Sequence, residues 1–359
     1  MKIACLKFAG LATGGTEKYL QTVACLLAKE HHVDFYYTNN APWIGNSFKH
    51  SDNSEERKKF VESRGVTTIP IHLDSLNTVT QTWNGSNIWD VFDPSKYDVI
   101  QSARYGLPEF PFTHIRGTKI VDSIHGDLSD SVSNIHTSIL ISKWQADKWI
   151  RSGGNSQKMV VIPTLVYVPE KIPSTMRQKL GIPQDAFVYG FHQRNDDGIF
   201  SPVSLAAYSQ VQDENTYFIL LGGSQRHKQL ASDLNLKNVL FVDFAAKVEE
   251  IHDFLGALDV YTHARSDGEV CSAAIIEAMY NGLPVITHPA QNMGHAEQIE
   301  GCGKMAWSME EYVEEMRRLK TEKSYFSDKK SATLRVYYER YCYKKLEEQY
   351  LNIYRNIDC

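Results

Sequence analysis

The chain predicts an α/β protein built from two parallel-sheet domains. Three observations predict this. Short β-branched runs alternate with helical patterns almost from end to end, the order that produces parallel sheets. A length of 359 residues exceeds one typical core and suits two units of roughly 150–180 residues. Between two alternating series lies Pro163–Pro183, with prolines at 163, 169, 173 and 183 and little periodicity, so the domain boundary falls there.

In the first series the expected strands are Lys2–Phe8, Val33–Thr38, Thr67–His72, Asp98–Ser102, Lys119–Ile124, Ser138–Ser142 and Met159–Ile162. Helix Thr16–Lys29 follows the first strand, and helix Lys143–Arg151 stops at Ser152-Gly153-Gly154. Residues Asn39–Asn53 and Asp74–Asn87 read as loops. The second series reads strand Phe187–Phe191, helix Pro202–Val211, strand Tyr217–Leu221, helix Arg226–Leu234 and strand Val239–Val242. It continues with helix Val248–Leu258, strand Val260–His263, helix Ser272–Asn281 and strand Pro284–Thr287. Ser308-x-x-Glu311 is a capping box opening helix Met309–Lys320, and the tail Ser327–Ile357 is helical and rich in Tyr.

Composition narrows the function classes. Hydrophobic content of 42% and charged content of 23% are globular values. A formal net charge of −5 argues against a nucleic-acid binder, which needs a basic field. No apolar run reaches the length of a membrane span, and Met1–Phe8 is too short for a secretory signal. Cys5, Cys25, Cys271, Cys302, Cys342 and Cys359 lack Cys-x-x-Cys spacing. They read as free thiols in a reducing cytoplasm, with no zinc site and no disulfide framework. No Gly-x-Gly-x-x-Gly fingerprint, P-loop or Gly-x-Ser-x-Gly elbow occurs.

The densest chemistry lies in Glu269-Val270-Cys271-Ser272-Ala273-Ala274-Ile275-Ile276-Glu277, followed by the Asn281-Gly282-Leu283-Pro284 turn into a strand. On a helix eight positions are close to two turns, which puts Glu269 and Glu277 near one face; with Glu269 in the loop at the helix start, both can still reach one elongated polar ligand. The backbone N–H groups between them open a helix and suit a phosphate. A sugar, a ribose and a diphosphate need that combination. The first βα turn, Ala9–Glu17, carries Gly14 and Gly15, whose backbone can approach a ligand closely. His125 follows directly on a strand, where ligands gather in open α/β sheets.

These residues resemble those of the retaining GT-B glycosyltransferases of family four (glycosyl transferases group 1). The Glu-x7-Glu pair, the Gly-Gly-x-Glu loop at Gly14–Glu17, His125 and the Leu221-Gly222-Gly223-Ser224 turn carry the resemblance. So does the loop Asn292–Ile299. The resemblance implies two Rossmann-like domains facing a cleft. Residues 1–165 would form an acceptor-side domain and 166–326 a nucleotide-sugar domain, with helices 327–359 crossing back to the first. It implies transfer of a sugar from UDP-sugar or GDP-sugar to a glycan or other hydroxyl acceptor, without a metal or other cofactor. It leaves room for peripheral membrane contact.

The resemblance also assigns roles. His125, Arg194 and Glu269 would be catalytic. Gly14, Gly15, Arg194, Gly222, Arg265, Cys271, Ser272, Ala273 and Glu277 would bind the donor, Glu269 on its sugar and Glu277 on its ribose. The family has Arg at the end of the strand before Asn195 and Lys five residues on, both on the diphosphate. Arg194 fits the first position, but Ile199 occupies the second. Arg265, or the helix start at Ser272 with about half a charge, would have to compensate. A second departure is Val270-Cys271-Ser272 where the family has Gly-Phe-Gly. Two rival readings follow: a same-fold sugar-nucleotide epimerase, and a non-catalytic nucleotide-sugar-binding subunit.

Overall fold

The computed structural model describes residues 1–38, 43–44, 54–73, 75–77, 82–84, 86–106, 109–126, 134–171, 173–243 and 247–357. Two compact units divide the chain: Met1–Val166 together with the segment from Leu346 onward, and Tyr167–Lys345.

The first unit is built on a seven-stranded parallel sheet. Its order is Met159–Val161, Ile135–Leu140, Lys119–Ile124, Val99–Arg104, Lys2–Leu6, His32–Thr38, Thr67–Ile71. Lys2–Leu6 sits between two neighbours, with Ile3 opposite Val33 on one side and Val99 on the other. The chain builds outward in one direction and then returns to build the other way. The topological switch point therefore lies between Lys2–Leu6 and Val99–Arg104, where open α/β sheets hold ligands. The inner strands are near-continuous apolar runs because both faces are covered: Ile3, Ala4, Cys5, Val99, Ile100, Val121 and Ile139 are all buried.

The second unit repeats the plan with six parallel strands. Their order is Val239–Val242, Thr216–Gly222, Phe187–Gln193, Val260–Thr262, Val285–Thr287, Lys304–Met305. Its switch point lies between Phe187–Gln193 and Val260–Thr262. Helix Ala273–Tyr280 is mostly apolar and buries Ile275, Ile276, Glu277, Ala278 and Met279. Helix Met309–Thr321 opens with half of the expected capping box: Ser308 accepts the Glu311 N–H at 3.2 Å, while the Glu311 carboxylate takes the Trp307 N–H at 3.4 Å and not that of Ser308.

Several elements differ from the sequence reading. Helix Glu55–Glu62 was not expected. Ser54 caps it by accepting the Arg57 N–H at 3.4 Å, and Glu55 and Glu56 suit its positive end. The expected loop Asp74–Asn87 contains Ser75–Asn77 and Thr82–Asn84, which pair antiparallel. Most of the expected loop Asn39–Asn53 lies outside the described residues, although Trp43–Ile44 is extended and pairs with Leu76–Asn77.

The tail expected to cross back from residue 327 divides. Helix Lys323–Val336 and the π-helical turn Tyr337–Tyr341 stay with the second unit. Leu334 packs against the backbone at Gly282, and the Tyr337 ring lies 5.4 Å from that of Tyr280. Helix Tyr343–Arg355 then brings its later turns to the first unit. There the Tyr350 hydroxyl donates to the Pro163 carbonyl at 3.2 Å, and the Tyr354 hydroxyl bonds Gln101 Oε1. Among the described residues, no helix is long and apolar enough to cross a membrane.

Candidate functional site

In the first unit, the turn after strand Lys2–Leu6 is held by side chains from elsewhere in the chain. The Gln21 carboxamide donates to the Gly10 carbonyl at 2.7 Å and to that of Ala12 at 2.9 Å, and Arg57 Nε donates to Gln21 Oε1 at 2.6 Å. Gly14 is the N-cap of helix Gly15–Leu27 and offers no side-chain cap. A Cβ on Gly14 would meet Glu17 Oε2 at 2.1 Å, whereas one on Gly15 would meet nothing within 4 Å. The Glu17 carboxylate is the end of a flexible side chain and could move aside, so neither glycine is sterically required. The Glu17 carboxylate faces Lys7, whose Nζ lies 3.3 Å away and also donates to the Ala103 carbonyl at 2.9 Å.

His125 follows strand Lys119–Ile124, and its N–H donates to the Arg104 carbonyl at 2.8 Å. Its ring lies edge-on to Tyr19 at 4.4 Å, which places the imidazole beside the Gly14–Tyr19 segment. The Tyr19 hydroxyl is in turn 2.5 Å from Ser123 Oγ. Burial and the nearby Lys7 cation push the imidazole down to about 3, so it is neutral at physiological pH. Its Nε2 is buried and has no hydrogen-bond partner among the described residues. Arg104 and Asp122 form a buried pair at 2.7 Å behind it.

In the second unit, Arg194 leaves strand Phe187–Gln193 and turns onto its own loop. Its Nε and a terminal nitrogen lie 3.0 and 2.9 Å from Asp196 Oδ2. Ile199 is 4% exposed and part of the core. The turn at Gly222 and Gly223 has φ of 78° at both residues, a left-handed conformation that favours glycine. Ser224 and His227 then cap helix Gln225–Asp233 reciprocally.

Glu269 does not lie on the helix. It sits in a two-residue strand, Gly268–Glu269, paired with Asn292–Met293. A Cβ on Gly294 would stand 1.8 Å from the Val270 carbonyl, so glycine is needed for this close approach. Glu269 Oε1 accepts from Arg265 at 3.2 Å and from Ser272 Oγ at 3.2 Å. Burial opposes its ionisation, but the Arg265 guanidinium, His263 and His295 hold the carboxyl down to about 2. Arg265 is shared, also reaching Asp267 at 2.6 and 2.9 Å. His295 accepts the Glu269 N–H at Nδ1 and bonds the His288 carbonyl through Nε2.

Ser272 is the N-cap of helix Ala273–Tyr280, and its own N–H is taken by Gln298 Oε1 at 2.6 Å. Cys271 is buried beside it. Glu277 is buried on the helix, and its Oε2 lies 2.8 Å from His192 Nε2. Glu269 thus stands before the helix start expected at Ser272, in a short strand and not a loop. Because Glu269 precedes the helix, the two carboxylates are held by separate partners at the sheet's switch point.

The structure brings Glu269, Arg265, Ser272 and Glu277 into one region of the second unit. It gives Glu277 an imidazole partner, His192, that the sequence reading passed over. The available signal was a polar residue at the carboxyl end of a buried strand, two positions before the Arg that drew attention. Tyr261 and His263, on the adjacent strand and just beyond it, were missed in the same way. Among the described residues, no group of three or more His, Cys, Asp or Glu could hold a metal ion.

Residues 187–321 match the family model described as glycosyl transferases group 1. The whole chain shares its fold with solved GT-B structures. An Anabaena Alr3699/HepE structure, in complex with UDP and glucose, superposes with a TM-score of 0.75 at 19% identity, covering 99% of this chain and 100% of that one. A glycosyltransferase from Rickettsia africae gives 0.74 at 15% identity over 99% and 98% of the two chains. A sucrose-phosphate synthase from Thermosynechococcus elongatus gives 0.71 at 16% identity over 99% of each. No curated protein matches the chain.

Proposed function

We propose that the chain is a retaining, metal-independent glycosyltransferase that moves a sugar from a nucleoside-diphosphate sugar to a hydroxyl acceptor. One observation carries this reading. A buried carboxylate within helix Ala273–Tyr280, Glu277, and a part-buried one just before it, Glu269, are each fixed by their own partner, within the region that matches glycosyl transferases group 1. Glu277 would accept from the ribose hydroxyls and Glu269 from the sugar. Arg194, released from Asp196, would meet the diphosphate. Gly14, Gly15 and His125 would meet the transferred sugar and acceptor, with the neutral imidazole bonding a hydroxyl through Nε2.

In the transfer, the acceptor oxygen forms a bond to the anomeric carbon on the face that the diphosphate leaves. The carbon–oxygen bond to the diphosphate breaks, and the acceptor proton passes to a phosphate oxygen. Fixed donors around the departing charge supply the stabilisation. UDP-glucose is the first donor to test, since HepE structures hold UDP and UDP-glucose.

The experiment is isothermal titration of UDP, GDP and their glucose conjugates, followed by nucleoside diphosphate release with glycan acceptors and NMR of the product anomer. Binding with release and a retained anomer supports the reading. An inverted product refutes the retaining step. Activity lost to a chelator and restored by a divalent cation refutes metal independence.

A second reading has its own observation. Ile199 is core and the Arg194 guanidinium is engaged by Asp196, which is what a non-catalytic nucleotide-sugar-binding protein would show. Donor binding without release of diphosphate in any acceptor screen would favour it.

A further inference from the structure

We infer that His192 and Tyr261 form a positioning pair that sets the Glu277 carboxylate for reading the ribose diol. The inference rests on the donor-site reading above and deepens it.

Three elements converge at the switch point of the second sheet. His192 lies near the end of strand Phe187–Gln193, Tyr261 lies in the neighbouring Val260–Thr262, and Glu277 lies on the helix that follows. The first two strands are in register, with Gly190 opposite Tyr261. His192 Nε2 is 2.8 Å from Glu277 Oε2. The Tyr261 hydroxyl is 3.3 Å from His192 Nδ1 and 3.3 Å from the His192 carbonyl. Tyr261 is completely buried, and the His192 and Glu277 side chains are 8% and 9% exposed.

The hydrogen-bond roles follow from the chemistry. A carboxylate only accepts, so the imidazole must donate to it from Nε2. In the tautomer protonated at Nε2, Nδ1 is an acceptor, and it shares the single Tyr261 hydroxyl proton with the His192 carbonyl, each 3.3 Å from the phenol oxygen. Burial keeps that phenol protonated, because it pushes its ionisation well above the ordinary value. One tautomer thus satisfies both contacts, and it holds Glu277 Oε2 at a fixed point in a buried site.

A carboxylate held in one plane can receive two hydroxyls at the spacing of a vicinal diol. One free to rotate about its last torsion receives them less well. A site that hydrogen-bonds a hydroxyl also rejects the analogue lacking it, since a buried acceptor is left unpaired. The pair should therefore govern preference for ribonucleotides over 2′-deoxyribonucleotides, more than affinity in general.

The test titrates UDP, GDP and their 2′-deoxy forms into the wild type and into His192→Phe, His192→Gln and Tyr261→Phe, with unliganded melts to confirm folding. The wild type should prefer the ribose form about tenfold or more, the scale of one hydrogen bond to a charged group. His192→Phe should lose that preference while its 2′-deoxy affinity changes little. His192→Gln should keep most of it through its amide donor, and Tyr261→Phe should fall between. Equal weakening of ribose and deoxyribose forms in His192→Phe would mark a general structural role and overturn the inference. So would a wild type that binds nucleotides with no ribose preference, though the donor site would then stand. A wild type that binds neither nucleotide overturns the donor-site reading, and this inference with it.

Discussion

Replacing Glu269 by Gln tests whether this carboxylate is kept for the transferred sugar or only for the fold. Burial pushes its ionisation up, and Arg265 with His263 and His295 bring it down from 4.5 to about 2. At about 1.4 kcal/mol per unit, the surroundings favour the charged form by about 3 kcal/mol. The depressed value fixes the sign. This stabilisation is present in full above pH 4.5 and is lost as pH falls through 2. The side chain is 20% exposed, so solvent screening trims its net worth to about 1–3 kcal/mol.

Gln keeps the shape and can still accept from Arg265 and Ser272. Arg265 is not orphaned, because Asp267 retains it at 2.6 and 2.9 Å. The variant should therefore fold, with a melting temperature lowered by several degrees. Its affinity for nucleoside diphosphate should stay within about twofold of wild type, because the free nucleotide carries no sugar to read. Turnover of the nucleotide sugar should fall about a hundredfold or more, the scale of one lost electrostatic contact to a reacting centre. Denaturation, titration and coupled detection of released diphosphate measure the three quantities. A variant that is destabilised but turns over normally refutes the sugar role. Diphosphate affinity falling in step with turnover refutes the division of labour between Glu269 and Glu277.

Two further outcomes are expected. Burial is the first cause of low imidazole values at His125, about 3, and at His227 and His263, each about 4, against 6.5 in the unfolded chain. The unfolded state then binds more protons between pH 6.5 and 4, so stability should fall on acidification through that window by roughly 2 kcal/mol per ring at pH 5. Urea denaturation with a midpoint unchanged from pH 7.5 to pH 5 would contradict this. Arg194→Ala should cut turnover about a hundredfold if Arg194 leaves Asp196 for the diphosphate. A near-normal rate in steady-state kinetics would assign the Arg194–Asp196 pair, 2.9 Å apart, to the loop alone.

The sequence by itself determined the two-series α/β architecture, because strand and helix periodicities are local and the parallel order follows from their alternation. Gly14, His125, Glu269 and Glu277 drew attention as candidates for a related reason. Turn glycines, a residue just after a strand and acids flanking a helix start all carry short-range signals. Helix Glu55–Glu62 escaped because its side chains are mostly polar and only Arg57 and Val61 are buried, which leaves little periodicity to detect.

Tertiary structure alone decided who partners whom. His192 meets Glu277 across 85 residues, and Gln101 meets Tyr354 across 253. Such pairs depend on strand order and register, which no local pattern encodes. The same holds for the divided tail, where Leu334 and Tyr337 have local neighbours around Gly282 and Tyr280, while Tyr350 and Tyr354 find theirs in the first unit. It also holds for Glu269, expected just before the helix start at Ser272, which the Asn292–Met293 pairing drew into a strand. A buried polar group must find a partner wherever the fold supplies one, so its chemistry is readable in the sequence but its address is not.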